Sequence, residues 1–338
     1  MDGIKNNKST SKDVARLAGV SQSTVSRAFS KDGRLHFETR KKVMDAAKIL
    51  NYQPNAFARG LVSSSSSFIG VIKGHNLNPA FSEMLSELTY LIQRSDRHIL
   101  YFEAPKNQPI DNLMSKVLQY QVQGIILLYT SLSSEITYAY EMLNVPVVQI
   151  FRRSAVGKTN IVMPDNYLAA AEAVELFVKK GFCNFAYIAG EVDSSSNMER
   201  QFGFSRRLHQ LGFPDPLLLS GDYTYESGKA AMYKLAKKAK TPCAVLAAND
   251  MMALGATDVV KYDLGLRVGK DFAFIGFDNS FMGEWPPYSL TSIKQPVSEM
   301  AKDALDILFQ NINDKDMVPV EKKYKLDLIE RNSTNPNP

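Results

Sequence analysis

The chain has 338 residues, 45% of them hydrophobic and 22% charged, which excludes a disordered polymer and is too long for one ordinary domain. No apolar run approaches the roughly 18 residues a membrane span needs, and the polar start, residues 1–12, lacks the apolar core of a signal segment. The expected location is therefore the cytoplasm, with no membrane partner. Charge is uneven: residues 1–62 carry 12 Lys and Arg against 5 acids, a net +7, while the other 276 residues carry 28 against 30, a net −2. A compact basic module suits a polyanion partner, the alternative being a solvated basic face.

Taken in chain order, Thr10 followed three residues later by Asp13 reads as a capping box, opening a short helical run through Ala18 that Gly19 ends. After the Gly19-Val20 turn, Ser21 caps a second helix reaching Phe29, with Val25, Ala28 and Phe29 on one apolar stripe. A third helix is expected over 38–51, where Val43, Ala46, Ala47 and Leu50 follow the i, i+3, i+4, i+7 spacing. Two helices crossing through a tight turn over a third read as helix-turn-helix. In such a unit the second helix enters the major groove, and its amide and guanidinium groups, Gln22 and Arg27, are the natural readers of adenine and guanine, with Ser23 beside them. Ser21, Thr24 and Ser26 suit phosphate oxygens or, equally, cap the helix.

The segment from Ser11 to Arg27, SKDVARLAGVSQSTVSR, resembles the signature of the LacI/GalR family of transcriptional repressors. The resemblance implies that Gln22, Ser23 and Arg27 face operator bases. It extends to NYQPNAFARGL, residues 51–61, which is similar to the family's hinge helix, Pro54 opening it. There it implies DNA contacts from Asn55 and Arg59 and a minor-groove wedge at Leu61, a residue that composition alone would leave as an exposed apolar side chain at a linker edge. Gly60 stands where Ser is common and lowers helix propensity by about 1 kcal/mol relative to Ala, so the hinge is expected to order on DNA. Five serines, residues 63–67, follow as a linker.

From Phe68 onward short apolar runs alternate with helical stretches. Strands are predicted over 68–72, 99–102, 124–128 and 147–150, with helices over 81–95, 112–120 and 135–143. The pattern repeats beyond Leu168 with strands near 185–188, 217–219, 244–247 and 272–277. Apolar strands between helices mean parallel sheets covered on both faces, and there is sequence for two of them. The expected fold is thus an all-α three-helix head with a hinge helix, then an α/β core of two doubly wound parallel-sheet subdomains. The implied type is periplasmic-binding-protein-like. The expected domains are a head over 1–53, hinge and linker over 54–67, a core over 68–334 and a tail over 335–338. Within the core, one subdomain takes about 68–164 and 295–323, the other about 165–294 and 324–334.

Ligands of doubly wound sheets sit beyond the carboxyl ends of the strands, so function is sought in those loops. They carry Asn78-Pro79-Ala80-Phe81, Arg200, Tyr223, Asn249-Asp250 and Asp278-Asn279, each resembling a family core motif, as do Gln295-Pro296 and 331–334. The resemblance implies that Phe81, Arg200, Tyr223, Asn249 and Asp278 line an effector pocket. Arg200 and Asp278 suit the hydroxyls of a polyol, and Phe81 and Tyr223 suit the face of a sugar ring, with core packing as the alternative for the aromatics and capping for Asp278. Phe151-Arg152 stands where many members have Asp-Arg. That loss of an acid beside Arg152 and Arg200 implies an electropositive pocket and an acidic or phosphorylated sugar.

Enzyme motifs are missing: there is no Gly-x-Gly-x-x-Gly after a strand, no Walker segment and no Gly-x-Ser-x-Gly elbow. Four scattered histidines and two cysteines, Cys183 and Cys243, predict neither metal nor cofactor. A transported-solute binding protein would share the core, but the basic head has no purpose in it. One recognition helix reads few base pairs, so the expected partners are a double-stranded pseudopalindromic operator, a second copy of the chain as homodimer, and a carbohydrate-like effector. Repression is the expected sign of regulation and activation the alternative.

Overall fold

The computed structural model describes residues 9–29, 34–54, 67–74, 78–104, 110–130, 134–154, 159–314 and 316–335, and its contacts divide the chain into two units, 1–67 and 68–338. In the first unit, helices α1 (Ser11–Ala18), α2 (Gln22–Ala28) and α3 (Phe37–Ile49) enclose a small core. Thr10 and Asp13 form the reciprocal capping box that their spacing predicted, and Gly19 ends α1 at φ 65°, a left-handed conformation that costs a glycine little. Val14, Ala15, Val25, Ala28, Val43, Ala46 and Ala47 are buried together, flanked by Phe29, Leu50 and Tyr52. Four of these seven are alanines, and the small side chains let three short helices close tightly. The third helix begins at Phe37 and stops at Ile49, two residues before the expected end, because Asn51 turns the backbone to φ 46°. Asn55, Arg59, Leu61 and serines 63–66 of the linker lie outside the described residues.

The second unit holds two six-stranded sheets. The first contains β1 (Phe68–Lys73), β2 (His98–Glu103), β3 (Gly124–Leu128), β4 (Val147–Ile150), β5 (Asn160–Pro164) and, far along the chain, β11 (Glu321–Tyr324), in the order β11-β5-β4-β3-β1-β2, all parallel. The second contains β6 (Asn184–Ile188), β7 (Leu217–Leu219), β8 (Cys243–Ala247), β9 (Phe272–Asp278), β10 (Thr291–Lys294) and β12 (Asp327–Ile329), in the order β12-β10-β9-β8-β6-β7. Only β12 runs antiparallel, against β10. Every residue of β1, β3, β4, β8 and β9 is buried, as central strands covered by helices on both faces must be. The helices over the first sheet are α4 (Ala80–Arg94), α5 (Asp111–Leu118), α6 (Ser134–Leu143) and α11 (Val297–Asn313). Those of the second sheet are α7 (Asn166–Lys179), α8 (Ser195–Gln210), α9 (Tyr225–Ala236) and α10 (Asp250–Asp258).

The chain passes between the sheets three times: after β5, after β10, when α11 packs back against α4 and β4, and after β11. This is the two-subdomain parallel α/β core expected. Sequence periodicity left β5, β10, β11 and β12 unassigned. Two of them, Glu321–Tyr324 and Asp327–Ile329, are largely exposed edge strands whose polar residues mask any apolar run, and β5 ends in a proline. Both sheets have the same reversal in strand order, between β1 and β3 and between β6 and β8. The loops at these reversals are where a doubly wound sheet leaves room for a ligand.

Candidate DNA-reading face and effector cleft

On the head, α2 presents one buried and one exposed face. Val25 and Ala28 point into the core, while Gln22, Ser23, Ser26 and Arg27 are exposed. Ser21 is the N-cap: its hydroxyl accepts from the Thr24 backbone N–H at 3.2 Å and lies 2.8 Å from both the Ser23 and the Thr24 hydroxyls. Of the two uses open to Ser21, capping is therefore in place. Gln22 Nε2 donates to Ser11 Oγ at 2.8 Å, tying the start of the second helix to the start of the first. Gln22 with Ser26, and Ser23 with Arg27, stand four residues apart, so the four share one strip of surface.

In the core, Phe151, Arg152, Tyr223, Asn249 and Asp278 sit at or just past the carboxyl ends of different strands, while Phe81 and Arg200 are on the helices that follow, α4 and α8. Asp278 ends β9 with φ 114°, is 6% exposed, and accepts from Asn78 Nδ2 at 2.6 Å and from Gln295 Nε2 at 2.5 Å. Asn78 follows β1 of the first sheet, so this carboxylate joins the two subdomains. Arg200, on α8, donates through Nε to Asn166 at 2.8 Å and through Nη1 to the Ala248 carbonyl, with its guanidinium 3.5 Å above the Phe277 ring. That leaves Nη2 as the donor not committed to these partners. Burial raises the pKa of Asp278 to about 6, and the charge of Arg200 works against that shift. Asp250 lies next door, its carboxylate accepting from the Ser280 backbone N–H and the Ser292 hydroxyl, each at 2.6 Å. Burial, with Asp278 as a like charge, pushes it to about 7.

Other bonds cross the same gap. Arg152, after β4, pairs with Glu191, after β6, at 2.8 Å; Ser196 Oγ donates to the Phe151 carbonyl at 2.7 Å; and the Arg153 backbone N–H donates to Ser195 Oγ at 3.2 Å. Tyr223 (φ 68°) shares a hydrogen bond with Ser194 at 2.8 Å and lies flat over Gly190, where any Cβ would come within 2.2 Å of the ring. Arg152 stands 5.7 Å from the centre of that ring. Asn249 caps α10: its Oδ1 accepts from the Met252 N–H at 3.0 Å and its Nδ2 donates to the Tyr223 carbonyl at 2.9 Å, so its amide builds the wall.

The structure thus brings Arg152, Arg200, Tyr223, Asn249 and Asp278 to one region, with Phe151 beneath. Phe81 is set toward the β1–β2 side, its ring 4.4 Å from Lys73 Nζ and 6.0 Å from the Tyr101 ring. The electropositive pocket expected from Phe151-Arg152 is offset, because Glu191 supplies from the other subdomain the acid that the β4 loop lacks. Sequence reasoning passed over Tyr129, Lys73 and Glu191, and gave Gln295 only as part of a family motif without a site role. Tyr129 and Glu191 were findable, since each stands just past a strand that borders the reversal in its sheet. Among the described residues no group of three His, Cys, Asp or Glu is placed to hold a metal, and no helix is long and apolar enough to cross a membrane.

Comparison with known proteins adds two family matches: residues 10–55 match bacterial regulatory proteins of the lacI family, and residues 174–334 match a periplasmic binding protein-like domain. The chain is 32% identical over 305 residues to catabolite control protein A of Priestia megaterium, covering 89% of this chain and 92% of that one. It is 31% identical over 330 residues to the ribose operon repressor of Escherichia coli K12, covering 96% and 99%. Its structure superposes on the lac repressor dimer bound to operator and an anti-inducer with a TM-score of 0.87 at 27% identity, covering 97% of this chain and 100% of that one.

Proposed function

The chain belongs to the LacI family of bacterial regulatory proteins, and from that premise we propose that it is a sequence-specific transcriptional repressor whose grip on its operator is set by a neutral carbohydrate held between the two core subdomains. The relatives named above are repressors or control proteins, and the lac repressor binds its operator as a dimer. Here too a homodimer places two heads on a pseudopalindrome, each with α2 in a major groove. Gln22, Ser23 and Arg27 read bases; Thr24 and Ser26 approach phosphates; Asn55 and Arg59 add backbone contacts, and Leu61 wedges into the minor groove at the centre. The head takes 1–53, the hinge and linker 54–67 and the core 68–334, with the subdomain boundaries stated above. The protein acts in the cytoplasm and turns over no substrate.

The observation that carries the effector reading is the bridge from Asn78 to Asp278 to Gln295. It joins loops of both sheets at the place where doubly wound sheets take ligands, and it is made of the groups that bind hydroxyls. A sugar hydroxyl can donate to Asp278 and accept from Arg200, whereas an anion would meet Asp278 as a like charge. Glu191, already paired with Arg152, further disfavours an acidic ligand. Inserting a sugar exchanges bonds that span the subdomains for bonds to the ligand, and so changes their relative angle. By linkage, operator and ligand affinities then alter each other by the same factor.

Two measurements test the proposal on the full-length protein. Selection from a random duplex pool should return a palindromic site, and absence of any preference over bulk competitor at moderate ionic strength would refute the DNA reading. A thermal-shift panel of neutral sugars against sugar acids and sugar phosphates should show stabilisation by neutral members; stabilisation by the anions alone reverses the assignment of the ligand.

A further inference from the structure

Tyr129 is placed where a core tyrosine has no reason to be. It is the first residue beyond β3, at φ 54°, and its ring stacks on that of Phe151, the first residue beyond β4, at φ 74°, with centroids 4.3 Å apart and planes 13° from parallel. Two aromatic residues in the left-handed region on adjacent strand ends are strained, and such strain concentrates at binding sites. The phenol is only 8% exposed, yet among the described residues its hydroxyl has no hydrogen-bond partner. A buried hydroxyl without a partner costs stability that a phenylalanine in the same place would not.

The surroundings say what the hydroxyl faces. The charged groups acting on it are Asp278 and Arg200 from the second subdomain and Arg152 and Glu83 from the first. Burial, reinforced by the negative charge of Asp278, drives its pKa well above the usual tyrosine value, so the group stays a neutral phenol able both to donate and to accept. Asp278, the first of these charged groups, is the carboxylate that Asn78 bonds across the two subdomains, so the hydroxyl lies within electrostatic reach of that bridge.

We propose that Tyr129 is a specificity-determining residue of the effector cleft, its hydroxyl donating to a hydroxyl oxygen of a carbohydrate that in turn donates to Asp278. This rests on the cleft being an effector site, and it narrows the ligand. The bridging atom must accept from one side and give a proton to the other, which an alcohol does and a carboxylate or phosphate oxygen does not. Phe151, stacked beneath, holds the phenol in this position and gives the sugar an apolar floor. A site with a buried polar group discriminates strongly against analogues lacking its counterpart, because the group is then left unpaired.

The test compares full-length wild type with Tyr129→Phe. Without any sugar, the variant should melt at the same temperature or a few degrees higher, since it loses a hydroxyl that has no protein partner. Binding is then measured by calorimetry for D-ribose, D-glucose, D-galactose, L-arabinose and D-fructose, and for monodeoxy analogues of whichever sugar binds. For that sugar the variant should bind 10- to 100-fold more weakly, and one monodeoxy analogue should bind wild type and variant alike. A clear fall in the melting temperature without sugar would show that the hydroxyl is structural and overturn the proposal. So would equal affinity of both proteins for every sugar that binds. If no sugar in the panel binds the wild type, the carbohydrate reading of the cleft fails and takes this inference with it.

Discussion

The head and the core use polar side chains in opposite ways. On α2 the side chains proposed to read bases, Gln22, Ser23 and Arg27, stand in solvent on a single seven-residue helix, and burial falls to small apolar residues on its other face. In the cleft the functional groups come from separate strand ends, are buried, and are bonded to one another. An exposed side chain can wait for DNA at little cost, because water satisfies it. A buried one costs stability unless the protein satisfies it, as it does for Asp278, Asp250 and Arg200, so a ligand entering as proposed would exchange internal bonds for its own.

Several substitutions would break or sharpen this contrast. The largest effect is expected from Arg200→Ala, which removes donors to Asn166 and the Ala248 carbonyl and takes away the positive charge beside Asp278. It should abolish the response of operator affinity to the effector in a titration while operator binding survives; a variant that still responds would remove Arg200 from the cleft. Arg27→Ala should cost about 1–3 kcal/mol at one operator position and relax the preference there. It should leave the melting of the core unchanged, since Arg27 is exposed. A loss spread evenly over all sequences would make Arg27 a phosphate contact.

Next comes a pH effect. Asp250 and Asp278 are buried with pKa values raised to about 7 and about 6, above the ordinary carboxylate value near 4. The folded state thus holds protons that the unfolded chain has released, so stability declines as pH rises from about 4 to about 7 and the loss is complete above it. Asp250→Asn removes one of the two charges. Its melting temperature should gain on that of wild type between pH 5 and pH 8, and a constant difference across that range would show that Asp250 titrates normally. The smallest effect on DNA is expected from Asn78→Ala, which deletes the hydrogen bond to Asp278 between the subdomains, worth about 1.5–3 kcal/mol because its acceptor is a carboxylate, together with the local acceptor of the Ala80 N–H. It should alter effector affinity modestly and leave the affinity of the head for operator DNA unchanged without effector; no change in the former would mean that the bond plays no part in the switch.

The two regions also differ in what could be read in advance. The head is written locally: a capping box over four residues, a glycine turn, and apolar spacing at helical period are short-range rules, and they placed all three helices to within two or three residues at each end. The alternation of apolar strands and helices in the core was legible for the same reason. Edge strands β11 and β12 were not, because few of their residues are buried and so little in their composition marks them.

The sequence by itself determined that there is a basic helical head and a two-sheet core, and which strand ends bear polar groups. The tertiary structure alone decided that Asp278 meets Asn78 from 200 residues away, that Glu191 offsets Arg152 across the gap, and that none of the described residues satisfies the Tyr129 hydroxyl. Helix caps and strand patterns are fixed by neighbours in the chain. The chemistry of a cleft depends on which distant groups are buried against each other, and local sequence carries no record of that.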